Sequence, residues 1–291
     1  MGITHFALFN LLTDFDIRWT VIEPSRALRL GMRRVLPASL LENCATTLSP
    51  SMGRFDIAVI TSPTAYHNSG YLACLQIANK IFIEKPLAVT APTANVLCGY
   101  VMLHHPLQKH ARALAQNVAP VRLDLTVRSN TVLDANTGWR GLLSGGGGVL
   151  NEFGSHLLSL LIDLGGPVDT IQLEESAIVH SVDAPDRARL TGRTRAGADF
   201  TLSLDWSDPE VRKPAWDIRV ALADGTSVVH DFYEMNAGGS SFSIADHESA
   251  SRVYLRGIEF TNQARHFLEN DKFDVELEAA MEIDRVLRLL K

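Results

Sequence analysis

The tripeptide Glu84-Lys85-Pro86 sets an acid and an amine directly after the short apolar run Lys80-Ile81-Phe82-Ile83. A lysine at the carboxyl end of a strand, in a cleft, can donate a proton or polarise a carbonyl where partial burial lowers its pKa. The proline keeps Lys85 extended, and an X–Pro bond can be cis, which would fix the lysine's direction. The same tripeptide also reads as a surface lysine before a turn proline, since lysine is mostly exposed. A second constellation is Trp139-Arg140 followed by Gly146-Gly147-Gly148-Val149-Leu150-Asn151-Glu152-Phe153-Gly154-Ser155-His156. Glu152 and His156 stand at i,i+4, one helical face. There a carboxylate can set the imidazole's tautomer and raise its proton affinity, giving an acid/base pair. A plainer reading has Glu152 complementing a helix N-terminus after a glycine loop. A phosphate cradle is the minor reading of the glycines, because they do not follow a strand in G-x-G-x-x-G form.

These residues need elements to place them. Phe6, Leu8, Phe9, Leu11 and Leu12 suit a helix, and Ile17 to Ile22 reads as a strand ending at Glu23-Pro24. A helix over Ser25 to Leu36 and a polar stretch lead to Asp56-Ile57-Ala58-Val59-Ile60, a continuous run that fits a strand buried on both faces. A helix from about Ala65 to Asn79 and the strand before Glu84 continue the alternation, which implies a doubly wound α/β domain. Ligands in such sheets bind beyond the carboxyl ends of the strands. Glu23, Thr61-Ser62-Pro63 and Glu84-Lys85-Pro86 all fall at that edge.

From about Pro120 apolar and polar residues alternate, as in strands with one wet face. Val121 to Val127, Ile171 to His180, Arg187 to Arg193, Asp199 to Trp206, Trp216 to Leu222 and Ser227 to Phe232 read this way, with a hairpin at Asp224-Gly225. One helix, Val149 to Leu164, interrupts them, and another carries Leu277, Met281, Val286 and Leu290. The expected organisation is a Rossmann-type domain over residues 1–117 and an α+β domain with a mostly antiparallel open sheet over residues 118–291.

Composition bounds the function. The 291 residues are 46% hydrophobic and 21% charged, with net charge −6, an ordinary globular balance. Mild acidity gives no electrostatic footprint for nucleic acid or an anionic membrane, and no run of 18 apolar residues could span a bilayer. The N-terminus lacks the basic and cleavage regions of a signal peptide. Cys44, Cys74 and Cys98 form no disulfide framework and no CxxC motif, so a reducing cytoplasm is expected, and no metal site.

In order and spacing these motifs resemble the glucose–fructose oxidoreductase / inositol dehydrogenase / rhizopine-catabolism family of NAD(P)-dependent oxidoreductases, over nearly the whole chain. Met1-Gly2-Ile3-Thr4-His5 is similar to the end of that family's glycine loop, and Thr61-Ser62-Pro63 with His67 to its strand-end segment. Glu84-Lys85-Pro86 resembles its E-K-P signature, and Cys98-Gly99-Tyr100 with His105-Pro106 its entry to the second domain. Trp139-Arg140 and Gly146 to His156 resemble its W-R…G-G-G-x-L-x-D-x-G-x-H segment.

The resemblance implies a hydride transfer between NAD, or NADP, and a hydroxyl or keto carbon of a sugar or polyol. It makes Lys85 and His156 catalytic, with Glu152 where the family usually has Asp. Gly2, Glu23, Arg26, Thr61, Ser62, Pro63, His67, Glu84 and Lys85 would border the cofactor. Glu84 would meet the nicotinamide ribose and Glu23 the adenosine ribose, where an acid favours NAD over NADP, a preference that Arg26 softens. Lys85, Tyr100, Trp139, Arg140, Asn151 and His156 would border the substrate, while His5 and His67 are read as structural rather than catalytic. Leu103 stands near where many relatives carry an arginine. A homodimer or homotetramer through the second-domain sheet is expected. The alternative is a non-catalytic dinucleotide- or sugar-binding sensor, or a truncated inactive product.

Gly2 matches the last glycine of the loop, so a first strand and the start of the loop, about nine or ten residues, are expected to be missing through a late translation start. The strands on either side would then lie about 9–10 Å apart. They must close up or leave backbone groups unpaired.

Overall fold

A computed structural model describes residues 2–133, 138–243 and 257–290. The chain opens with helix α1 (Gly2–Asn10) and strand β1 (Trp19–Ile22), which stops before Pro24. Ser25 caps α2 (Arg26–Val35) by accepting from the Leu28 amide, and Arg33 and Arg34 face the negative end of its dipole. Strand β2 (Leu41–Ala45) falls in the stretch read as merely polar. It is a short edge strand whose Glu42 and Asn43 are exposed, so no apolar alternation marks it. Strand β3 (Phe55–Ile60), α3 (His67–Cys74), β4 (Ala78–Ile83) and β5 (Val96–Cys98) complete the first half. Helix α3 is shorter than expected because the chain turns at Leu75–Ile77 and enters β4 at Ala78.

All these strands are parallel, but they form two sheets, β2-β1 and β3-β4-β5. Strands β1 and β3 are not paired with each other. Residues Ile57, Ala58 and Val59 of β3 are accordingly half-buried, whereas Ile81, Phe82 and Ile83 of β4 are fully enclosed.

Helix α4 (Pro106–Asn117), with proline at its first turn and His105 as cap, bridges to the second half. There β6 (Pro120–Arg128), β7 (Val168–Ala177), β8 (Arg187–Thr194), β9 (Asp199–Asp205), β10 (Ala215–Leu222), β11 (Ser227–His230), β12 (Glu234–Ala237) and β13 (Ser240–Ser243) form one sheet. Its order is β13-β12-β11-β10-β6-β9-β8-β7, antiparallel except for β6 beside β9. The mostly antiparallel open sheet read from the alternation is what the chain forms. Strands β12 and β13 escape that reading because they are four polar-rich residues each around Gly238-Gly239. Helix α5 (Ser155–Gly165) covers the inner face with Leu157, Leu158, Leu160, Leu161 and Leu164.

Two more helices follow, α6 (Ile258–Glu269) and α7 (Asp274–Leu289). Met281, expected on the buried stripe of α7, is exposed, and Ala280, Ile283, Val286 and Leu287 face inward instead. Helix α6 belongs spatially to the first half. Ala264, Phe267 and the following Phe273 share a core with Phe9, Leu12, Phe82 and Leu97. Lys80 of β4 fastens it there by donating to the carbonyls of Phe267, Leu268 and Asn270. Among the described residues no helix is long and apolar enough to cross a membrane.

Candidate active site

The site lies where the carboxyl ends of β4 and β5 meet the start of α5 and the first turns of α6. Glu84, Lys85, Gly99, Val101, His156, Phe260 and Gln263 line one cavity of about 80 Å³. Three stretches far apart in sequence therefore converge on it. The Lys85–Pro86 peptide is cis. Lys85 sends its Nζ to the Glu152 carbonyl at 3.1 Å and lies 3.4 Å from the Glu152 carboxylate.

The Glu152–His156 pair expected from the i,i+4 spacing does not form. Residues Leu150–Gly154 make a π-helical turn, which breaks the 3.6-residue period between the two. The Glu152 carboxylate turns instead to Lys85 and, at 3.8 Å, to Arg140. His156 is enclosed and its Nδ1 has no partner among the described residues. Burial, and then the neighbouring Lys85 charge, hold its pKa well below that of an ordinary imidazole. It is neutral near pH 7, the reverse of the raised proton affinity expected for it.

The glycine run is scaffolding, which overturns the phosphate reading. The amides of Gly145, Gly146, Gly147 and Gly148 donate to the carbonyls of Leu142, Leu143, Leu142 and Arg140, leaving no nest of free N–H groups. A Cβ on Gly147 would stand 2.1 Å from the Arg140 carbonyl oxygen, so only glycine fits there. The Asn151 amide donates to the carbonyls of Gly146 and Gly147 at 3.0 Å each. That nitrogen, assigned to substrate by the resemblance, is spent on the loop. Asp186 braces the loop's neighbour, the 179–186 turn, whose Pro185 carbonyl accepts from Val149. Burial works to raise the Asp186 carboxyl, but bonds from Ser181, His180 and Trp206 outweigh it and hold its pKa at about 2.

The remaining expected residues divide between edge and periphery. Glu84 receives His5 at 2.5 Å, so α1 orients the carboxylate that borders the cavity. His67 places one ring nitrogen 2.8 Å from the Pro86 carbonyl and the other 2.9 Å from the Ser62 carbonyl. It ties two strand-end loops together and has no nitrogen left for a cofactor. Tyr100 is buried edge-on against His156, 6.5 Å between ring centres, outside the cavity lining. Trp139 carries the Arg140 guanidinium over its ring at 4.9 Å, also outside it.

The other edge residues fit a dinucleotide. Gly2, at the first turn of α1, approaches Thr61 so closely that a Cβ would lie 3.2 Å from its hydroxyl. Ser62 keeps a buried hydroxyl without a partner among the described residues. Glu23 ends β1 with its carboxylate accepting from the Ser25 amide at 2.8 Å, and Arg26 opens α2 beside it. A helix N-terminus, an orphaned hydroxyl and a strand-end acid suit phosphates, a polar ring substituent and a ribose diol respectively.

Sequence reasoning did not find Phe260, Gln263 or Trp216. Trp216, on β10, packs edge-on against His156 at 6.1 Å. The signal for Gln263 was a single polar residue in the apolar stripe Phe260, Ala264, Phe267, but α6 itself went unread.

The fold is α/β, with a parallel-stranded half, an open and mostly antiparallel half, and a lysine–histidine cavity lined by residues of both. Residues 119–226 match the model of the GFO/IDH/MocA C-terminal domain. That match lies within the second half, where the motifs' resemblance also points. The whole chain is similar in fold to levoglucosan dehydrogenase solved with NADH, at TM-score 0.79 and 16% identity, covering 99% of this chain and 93% of that one. It is likewise similar to an oxidoreductase domain protein from Kribbella flavida, at TM-score 0.78, 16% identity, 99% and 92%. An NAD binding oxidoreductase from Klebsiella pneumoniae follows at TM-score 0.70, 15% identity, 98% and 90%. No curated protein matches the sequence.

Proposed function

We propose that this protein is an NAD-dependent oxidoreductase acting on a hydroxyl or keto carbon of a sugar, polyol or sugar derivative. The carrying observation is that Lys85 and His156, from opposite halves of the chain, border one cavity with Glu84. The cofactors and sugars in the neighbours' structures, NADH alone and NADH with levoglucosan or L-sorbose, support the same reading.

When bound, NAD supplies or takes up the hydride. Gly2, Thr61 and Ser62 would hold its phosphates and nearby hydroxyls, Glu23 the adenosine ribose and Glu84 the nicotinamide ribose. Glu23 disfavours a 2′-phosphate, so NAD is preferred over NADP. Lys85 gives a proton to the carbonyl oxygen in reduction and removes it from the hydroxyl in oxidation. Glu152 fixes the Lys85 ammonium, and Arg140 fixes Glu152. Neutral His156 orients the reacting oxygen by hydrogen bonding rather than acting as the acid. Placement of this kind accounts for much of the rate in such transfers.

The test is a fluorescence titration with NADH and NADPH, followed by turnover with a panel of sugars and cyclitols. Lys85→Met should keep NADH affinity and lose about 10²–10⁴-fold in rate. Full turnover in that variant removes Lys85 from the chemistry. A folded protein that binds no NADH removes the whole reading.

A further inference from the structure

We propose that Gln263 and Phe260, at the start of α6, are the substrate-recognition pair of this cavity. The Gln263 amide would donate to an oxygen of a neutral polyhydroxylated ligand, and the Phe260 ring would lie against its C–H face. The proposal rests on the oxidoreductase reading above and names the residues that select its substrate.

Gln263 is 3% exposed, yet its Nε2 has no hydrogen-bond partner among the described residues. A buried donor left unmade is costly and rare in a folded protein, and a cavity at its side chain supplies the reason for it. On α6 the stripe Phe260, Ala264, Phe267 faces the first half, and Gln263 is the polar member of that face. Its direction is fixed from both ends. Asn262 donates to the His104 carbonyl at 3.0 Å, and Lys80 caps the last carbonyls of the helix. An amide held this way is pre-organised, as recognition groups must be.

Charge defines the ligand. Glu84 is paired with His5, and Lys85 with Glu152. Each charged group lining the cavity thus already has a polar partner within the protein, which suits an uncharged ligand better than a sugar phosphate. An aromatic ring beside an amide donor matches a molecule with one C–H face and a rim of hydroxyls. The carboxamide of a nicotinamide offers the same acceptor chemistry, so the experiment must separate the two.

The experiment is calorimetric titration of the full chain with NADH, then with levoglucosan, L-sorbose and myo-inositol in its presence and absence. Wild type is compared with Gln263→Leu and Phe260→Ala. Gln263→Leu keeps the shape and removes the orphaned donor, so it should fold with a thermal midpoint at or above wild type. The expected result is NADH affinity within about twofold of wild type and polyol affinity lowered about ten- to a hundredfold in Gln263→Leu. Phe260→Ala should also lose polyol affinity. Unchanged polyol binding in Gln263→Leu overturns the proposal. So does a selective loss of NADH affinity, which would assign the amide to the cofactor, or a wild type that binds NADH and none of the three polyols. Polyol binding without NADH binding would instead overturn the oxidoreductase reading and leave Gln263 as the recognition residue.

Discussion

Lys85 and Glu152 meet across the two halves of the molecule, the lysine ammonium bonded to the glutamate's carbonyl at 3.1 Å and paired with its carboxylate at 3.4 Å. The glutamate therefore serves the lysine and leaves the histidine four residues on to the aromatic wall of Tyr100 and Trp216. Glu152→Gln keeps the size of the side chain and removes its charge. Turnover should fall by about ten- to a hundredfold while sugar KM changes little, since the loss is in placing the acid and not in binding. Steady-state kinetics decide it, and a change confined to KM would make Glu152 a binding residue.

His156 gives a prediction in pH. Burial and the Lys85 charge hold its pKa well below the ordinary imidazole value, so it is neutral around neutral pH. The rate profile of wild type should carry no inflection from this ring between about pH 6 and 8. His156→Gln should lower the rate without changing the profile's shape. An inflection near the ordinary histidine value that disappears in His156→Gln would make the ring an acid/base group after all.

The contacts of Lys85 and His156 explain how far the sequence could be read. The tripeptide ending β4 and the glycine run before α5 were legible, because strand-end position and loop glycines are local properties. Their partners were not. The i,i+4 rule assumes a regular helix, and the π turn at Leu150–Gly154 redirects Glu152. Alternation revealed β6 to β11 but not β12 and β13, which are short and polar. The third wall of the cavity comes from α6, whose docking depends on Lys80. A lysine inside an apolar run gives no hint in sequence that it caps a helix nearly 190 residues away.

That cap predicts a stability effect. Lys80 is 9% exposed, donates to three carbonyls at 2.8–3.0 Å and lies 5.5 Å from the centre of the Phe267 ring. Its ion pair with the exposed Asp271 adds little. Lys80→Met preserves much of the stem packing and leaves the carbonyls without the cation. A loss of about 2–4 kcal/mol is expected in chemical denaturation, together with weaker polyol binding as α6 loosens. Asp271→Asn should be close to neutral. Equal losses in the two variants would place the stabilisation in the exposed pair.

Three further histidines make the protein acid-sensitive. Burial lowers His104 to about 3, helped by the charge of His266, and lowers His105 and His230 to about 4. Each binds its proton more readily in the unfolded chain, near the ordinary value of 6.5. Their contribution is therefore complete above about pH 6.5 and is lost as pH falls toward 4, by roughly 1.4 kcal/mol per pH unit for each ring. Denaturation midpoints should drop steeply between about pH 6.5 and 5. His230→Phe, which removes one titrating ring, should flatten the slope, and an unchanged slope would assign the sensitivity elsewhere.

The outer face of the eight-stranded sheet bears on assembly. In the runs Val121 to Val127 and Asp199 to Trp206, Leu123, Leu125, Val127, Phe200, Leu202 and Leu204 all point inward and are buried. Their alternates form a charged surface in which Arg122 pairs with Asp124, Arg219 with Asp217, Arg193 with Asp199 and Arg187 with Asp205. Arg122–Asp124 and Arg219–Asp217 are two apart on one strand and so share a face, while Arg193–Asp199 and Arg187–Asp205 are cross-strand partners, so each arginine has its own acid within reach and can exchange it for one on a second copy. A homodimer proposed through this face would be held largely by charge complementarity. Its association should weaken between about 50 mM and about 500 mM salt, as the screening length falls to roughly 4 Å. Reversing Arg122 and Arg219 to Asp should dissociate it at low salt. Sedimentation measures both, and a dimer indifferent to salt and to the double reversal would have to use another surface.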